Sequence, residues 1–118
     1  MDLPAAEFTL QIDPDLMEQV FINLLKNSKE AILDNKVSHG KIELSIHETT
    51  GGGVSISDNG GGIPPDVLEN IFIPFYTTKE TGSGVGLSLV KQIVQLHKGD
   101  IEIDSDVNEG TTAVNISL

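Results

Sequence analysis

Four segments of this chain alternate apolar and polar residues, and they come in two pairs. Residues 41–47 and 54–58 flank a turn with three glycines, and residues 100–104 and 112–118 form a second pair near the C-terminus. Alternation with a period of two is typical of strands buried on one face, and strands close in sequence favour antiparallel pairing. Residues 8–12 alternate as well and predict a fifth strand.

Three helices are predicted between these strands. In the first, Asp13 suits the N-cap and Pro14 the first turn, and the apolar spacing continues to about Leu33. A short helix is predicted over residues 64–72, and another over residues 87–98, closed by a glycine. These elements predict an α+β fold, with a mixed or antiparallel sheet of about five strands and helices on one face.

Composition narrows the class of protein. The chain has 118 residues, which suits one domain over residues 1–118, and 7 Lys against 18 Asp and Glu give a net charge of −11, with no Arg. This balance argues against nucleic-acid binding and against direct contact with anionic membranes. Cys is absent, and no apolar run reaches the roughly 18–20 residues of a membrane span. We expect a soluble, cytoplasmic domain, although a piece of a membrane protein would look the same.

One carboxylate is predicted at the end of a strand. Asp58 shares the phase of Val54 and Ile56, which places it on their face of the strand, and residues 59–62 that follow include three glycines. Glycine allows a ligand to approach the backbone closely. The alternative is that Asp58 only starts a hairpin turn.

Two asparagines lie one turn apart on the first predicted helix. Asn23 and Asn27 flank Leu24 and Leu25, although Asn is a mediocre helix former. Their amide oxygens would suit a hard cation such as Mg²⁺ or, alternatively, the residues simply belong to a solvated helix face.

A third signal is the segment 77–87, in which glycines at three alternate positions lead into a helix. Amide groups at that helix start would attract phosphate, with Lys79 as a nearby charge, although a flexible loop would have the same composition. The spacing matches neither a P-loop nor a dinucleotide-binding fingerprint. Together the three signals indicate a magnesium–nucleotide site.

Four motifs in order resemble those of sensor histidine kinases. Residues 23–28 resemble the N box, residues 58–63 the G1 box, residues 72–79 the F box and residues 82–88 the G2 box. The closest likeness is to the nitrogen-regulator type. The resemblance covers nearly the whole chain and implies the two-layer sandwich of the Bergerat fold, shared with gyrase, the 90-kDa heat-shock chaperone and mismatch-repair ATPases, and a mobile ATP lid at residues 73–86.

The resemblance also implies residue roles. Asp58 would accept a hydrogen bond from the adenine amine, Asn27 would give Mg²⁺ its one protein oxygen, and Lys79 would approach the terminal phosphates. Thr112 would reach Asp58 through water; Thr111 is the alternative, but strand phase favours Thr112 as the inward residue. The glycines of the G1 and G2 boxes would shape the base pocket and the lid. The implied nucleotide-binding set is Asn23, Asn27, Asp58, Gly60, Gly62, Ile63, Lys79, Gly82, Gly84, Gly86, Leu87 and Thr112.

The chain departs from the family pattern in ways that bear on the reaction. Related ATPases have a general-base Glu where this chain has Asn23, and an amide cannot take a proton, so ATP hydrolysis is disfavoured as the main activity. Glu30 stands where many members have Lys or Arg. The negative charge of the phosphates would be neutralised by Mg²⁺ and Lys79, and further by Lys26, Lys29 or Lys91. We therefore expect nucleotide affinity to be weak and to depend strongly on Mg²⁺.

The phosphoacceptor is expected elsewhere. In the family it is a His on a dimerisation domain, and His39, His47 and His97 lack that context; His97 is predicted to be a structural residue at a helix C-terminus. We expect an excised catalytic domain that is a monomer alone, with a response regulator downstream. Two alternatives are a free-standing serine kinase of the anti-sigma-factor type and a non-catalytic nucleotide-binding module.

Overall fold

Three helices and four strands make up the part of the chain that the structure describes. The computed structural model describes residues 12–47, 52–73 and 86–118. In chain order the elements are α1 (Pro14–Asp34), β1 (Ile42–His47), β2 (Gly53–Asp58), α2 (Pro65–Leu68), α3 (Gly86–Leu96), β3 (Asp100–Asp106) and β4 (Thr111–Ser117).

The four strands form one antiparallel sheet in the order β1-β2-β4-β3. The predicted hairpin of β1 with β2 is present, β3 and β4 form a second hairpin, and the central pair, β2 with β4, joins strands far apart in sequence. The sheet was expected to be antiparallel or mixed with about five strands, and the four described strands are all antiparallel. The fifth predicted strand, at residues 8–12, lies outside the described residues except for Ile12, which is not in a strand.

Helix α1 begins where the sequence predicts. The Asp13 carboxylate accepts hydrogen bonds from the backbone N–H groups of Asp15 and Leu16 at 3.0 and 3.2 Å, which satisfies two amides of the first turn. Helix α2 is shorter than predicted, ending at Leu68 rather than near Phe72. The chain beyond it continues in turns, because the backbone there bonds three residues back rather than four.

The core lies between one face of the sheet and the helices. Aliphatic side chains of α1 and α3 pack against inward residues of β2, β3 and β4, as the shortage of aromatic residues predicts. The buried apolar residues are Met17, Val20, Leu24, Ile56, Val90, Ile93, Val94, Ile101 and Ile116.

His97 connects the two long helices. The backbone N–H of Asp13 donates to His97 Nε2 at 2.9 Å, and His97 Nδ1 lies 2.8 Å from the carbonyl oxygen of Ile93. Since a carbonyl can only accept, Nδ1 carries the proton and Nε2 accepts. Nε2 therefore holds the C-terminus of α3 against the N-terminus of α1, while Nδ1 is used within α3, and His97 has the structural role predicted for it.

A lysine occupies a left-handed position after α3. Lys98 has φ 59°, its N–H donates to Gln95 O, and the N–H of Gly99 donates to Val94 O, both at 2.9 Å. Glycine is favoured at this position because it has no Cβ to clash. We expect Lys98→Gly to raise the free energy of unfolding by about 0.5–1 kcal/mol. Lys29→Gly, in the exposed interior of α1, should lower it by about 1 kcal/mol. Urea titration of both variants measures this, and destabilisation by Lys98→Gly would contradict it.

Candidate functional site

Asp58 lies at the end of β2 on the face that the helices cover. Its Oδ1 accepts a hydrogen bond from the backbone N–H of Gly60 at 2.9 Å, and its Oδ2 accepts one from the hydroxyl of Ser28 on α1 at 2.8 Å. The carboxylate is half-buried and faces α1, so it is more than the start of a surface turn. Each oxygen keeps a further acceptor site for a ligand.

The loop after Asp58, residues 59–63 (the glycine loop), is held from two sides. On one side, Asn35 Nδ2 at the end of α1 donates to Gly60 O at 2.6 Å. On the other side, two acceptors belong to the β3–β4 hairpin. The N–H of Gly61 donates to Gly110 O at 3.0 Å, and the N–H of Ile63 donates to Ser105 Oγ at 2.6 Å. The backbone that would border a base is thus fixed by hydrogen bonds to other elements.

Gly62 needs to be glycine for two reasons. Its φ is +78°, a left-handed conformation that other residues rarely adopt. A Cβ at this position would also lie 2.8 Å from the carbonyl oxygen of Asp106 in the β3–β4 hairpin. The close approach between the glycine loop and this hairpin therefore depends on the missing side chain.

Thr112 is the inward residue of its pair. It lies opposite Asp58 across β2 and β4 and is 8% exposed, whereas Thr111 is exposed, as strand phase predicts. The Thr112 hydroxyl is 3.3 Å from Ser105 Oγ. Asp58, Thr112 and Ser105 thus share one end of the sheet.

The two asparagines of α1 differ in their surroundings. Asn23 Nδ2 donates to the carbonyl oxygen of Gln19 at 2.9 Å, one turn back in its own helix. Asn27 is half-buried, and its amide has no hydrogen bond to any residue in the described ranges. It immediately precedes Ser28, so the turn of α1 that carries Asn27 lies against the end of β2.

Much of the predicted phosphate-binding segment lies outside the described residues. These positions include Lys79, Gly82 and Gly84 and all of the predicted lid apart from its first and last residues. Gly86 begins α3, and Leu87 packs against the core. Lys91 Nζ lies 4.9 Å from the centre of the Phe72 ring, so its charge is used in a cation–π contact.

The site has few charged groups to hold a metal ion. Across residues 12–47, 52–73 and 86–118, no three His, Asp or Glu side chains are placed so that they could bind one together.

A cavity of about 370 Å³ borders Asp58, but it is not lined by the described helices. Asp58, Ser105 and Thr112 line one side, but Glu43 and Ser57 on the opposite face of the sheet line the other. The cavity therefore opens away from the helices, and no residue of the described helices lines it.

Three residues that the sequence analysis did not select form hydrogen bonds to Asp58 or to the glycine loop. Ser28 contacts Asp58, while Asn35 and Ser105 hold the glycine loop. Ser28 stood inside a recognised motif, but its neighbour Asn27 drew the functional assignment. Asn35 and Ser105 come from other elements, and no local spacing marks them.

Comparison with known proteins identifies the family. Residues 12–118 match the model described as "Histidine kinase-, DNA gyrase B-, and HSP90-like ATPase". The chain is 46% identical over 101 residues to the C4-dicarboxylate transport sensor protein DctB of Rhizobium meliloti, covering 85% of this chain and 16% of DctB. It is 40% identical over 104 residues to the sensor histidine kinase ZraS of Escherichia coli, covering 87% of this chain and 22% of ZraS. It thus spans about a fifth or less of the length of these two relatives.

Solved structures agree with this relationship. The catalytic domain of histidine kinase ThkA superimposes with a TM-score of 0.78 and 31% identity, covering 92% of this chain and 69% of that one. The mycobacterial sensor histidine kinase MprB superimposes with a TM-score of 0.76 and 27% identity, covering 92% of this chain and 75% of that one. No helix among the described residues is long and apolar enough to cross a lipid bilayer. The predicted α+β fold and the predicted family are confirmed: the chain belongs to the histidine kinase-, DNA gyrase B- and HSP90-like ATPases, as a catalytic domain of the sensor histidine kinase type.

Proposed function

We propose that this domain binds Mg-ATP and donates the γ-phosphate to a His on a separate phosphoacceptor domain in two-component signalling. The observation that carries the proposal is the Asp58 carboxylate, oriented by Ser28 and Gly60 beside the fixed glycine loop. A carboxylate oxygen held in one orientation suits the exocyclic amine of a base, because an ionised carboxylate only accepts hydrogen bonds and the amine can donate one.

Base selection would depend on Asp58. A carboxylate accepts from the adenine amine, whereas guanine has a carbonyl at the equivalent position and would be repelled. Gly60, Gly62 and Ile63 would border the ring. Thr112, opposite Asp58, would join through a water molecule, because its hydroxyl can both donate and accept.

The phosphates would be bound through Asn27 and Mg²⁺. Asn27 fits this role because its amide oxygen is a hard ligand with no hydrogen bond inside the described residues. Asn27 would hold Mg²⁺, which would supply positive charge to offset that of the phosphates. The predicted lid would contact the terminal phosphates, through Lys79, Gly82 and Gly84 among others. Gly86 and Leu87, at the start of α3, would complete it.

Transfer to an imidazole is favoured over hydrolysis because of Asn23. The Asn23 amide has no basic site for a proton and donates to Gln19 O, so it cannot activate water. In the proposed transfer, a neutral imidazole nitrogen of the acceptor forms the new bond to phosphorus, the bond between the γ-phosphorus and the bridging oxygen breaks, and ADP leaves. This domain would contribute binding and orientation.

The acceptor would come from outside this chain. Both ring nitrogens of His97 are used in hydrogen bonds, Nε2 with the N-terminus of α1 and Nδ1 within α3, so this residue is unsuited to accept phosphate. We therefore propose a phosphoacceptor domain of the parent kinase as the direct partner and a response regulator downstream. We also propose a cytoplasmic domain that is monomeric in isolation and contacts neither nucleic acid nor membrane, given the net charge of −11.

Mixing this domain with a separately prepared phosphoacceptor domain of the parent kinase and γ-labelled ATP tests the proposal. We expect a label that is stable to base and labile to acid, as a phosphoramidate is, and that disappears when the acceptor His is replaced by Gln. Nucleotide binding without transfer would favour a non-catalytic module. An acid-stable label on a protein Ser would favour the serine kinase of the anti-sigma-factor type.

A further inference from the structure

A buried hydroxyl on α1 contacts the carboxylate expected to read the base. Ser28 is 5% exposed, and its Oγ donates to Asp58 Oδ2 at 2.8 Å across 30 positions of sequence. A helical Ser commonly bonds to a carbonyl one turn back in its own helix. This one instead donates to a charged group on the sheet, a stronger class of hydrogen bond.

The hydrogen bond from Ser28 fixes the orientation of the Asp58 carboxylate, which the hydrogen bond from Gly60 alone leaves free to rotate. Gly60 is two residues from Asp58, and its N–H holds only Oδ1. With that bond alone, the carboxylate could still turn about its own axis. The second bond, from a different element, holds Oδ2 and so sets the plane of the carboxylate.

We infer that Ser28 is a positioning residue for base recognition, which acts through Asp58 rather than by touching the nucleotide's phosphates. This inference rests on the proposed function, since it requires Asp58 to accept from adenine. A rotating carboxylate would present its free acceptor sites in many directions, and hydrogen bonds weaken steeply when misaligned. Ser28 would therefore affect the preference for a base with an exocyclic amine more than it affects the overall affinity for nucleoside triphosphates.

The test compares Ser28→Ala with the matched control Ser45→Ala, an exposed Ser on β1. Calorimetry measures the affinity of each folded variant for Mg-ATP and for the triphosphate of purine riboside, which lacks the exocyclic amine. For Ser28→Ala we expect affinity for ATP to fall about three- to tenfold, less than for the loss of a direct hydrogen bond to a charged group because Ser28 acts only through Asp58, and affinity for the amine-free analogue to stay within about twofold. Ser45→Ala should change neither.

A double-mutant cycle separates positioning from a general structural effect. In an Asp58→Ala background, Ser28→Ala should have no further effect on the ratio of the two affinities, because the carboxylate it orients is gone. An equal loss for both nucleotides, an unchanged ratio, or additive effects in the cycle would overturn the inference. Wild-type protein that binds neither nucleotide, or both equally, would instead overturn the proposed function.

Discussion

Replacement of Asp58 with alanine is expected to lower the affinity for ATP by about 30- to 100-fold. The substitution removes the acceptor for the adenine amine and leaves the Ser28 hydroxyl and the Gly60 N–H without their partner. A lost hydrogen bond to a charged group corresponds to about 1.5–3 kcal/mol, and each 1.4 kcal/mol is a factor of ten. Titration calorimetry with ATP and GTP measures the change.

The control for this prediction is Asp34→Ala, which removes one exposed carboxylate at the end of α1 and should leave ATP affinity unchanged. Asp58→Asn provides a second arm: it nearly preserves the shape, but its amide can donate to a guanine carbonyl. The preference for ATP over GTP should therefore shrink or reverse. Unchanged preference in both Asp58 variants, with the fold intact by circular dichroism, would refute adenine recognition at this position.

Replacement of Asn27 with alanine is expected to remove most of the Mg²⁺ dependence of ATP binding. In the wild-type protein, chelating Mg²⁺ should weaken ATP binding at least about tenfold, because metal ligands and their supporting residues typically carry 10- to 100-fold in metal affinity. In the variant, affinity should already be low and should change little on chelation. Titrations with and without a chelator provide the measurement.

Gln95→Ala serves as the control for Asn27, because it removes an exposed side-chain amide on α3, far along the chain from the predicted ligand. It should keep the wild-type response to Mg²⁺. Asn27→Asp retains an oxygen ligand and should keep the response as well. If Asn27→Ala responded to chelation as the wild type does, the metal ligand would have to be another residue.

The local elements of this fold were predictable because their signals are local. Asp13 caps α1, Thr112 is inward and Thr111 outward, and the hairpin strands carry the expected alternation. Helix α2 was predicted too long because residues beyond Leu68 have helical composition, while the backbone there adopts tighter turns. Such endings depend on a few bonds that composition does not reveal.

The contacts that complete the site were not predictable from local pattern. Ser28 meets Asp58, and Asn35 meets Gly60, only because α1 packs against the end of the sheet. Ser105 reaches Ile63 because β2 pairs with β4, a register set by distant residues. A small polar residue gives the same local signal whether it faces solvent or a carboxylate. Family resemblance suggests the main positions, which stay predictions, but it does not point to these supporting ones.

The hydrogen bonds on both sides of the glycine loop have a consequence for chemical intervention. Since hydrogen bonds from α1 and the β3–β4 hairpin fix this backbone, a compound that bound beside Asp58 would need to order little of the chain. Stiff, flat heterocycles that present one donor to the carboxylate should therefore achieve high affinity per atom.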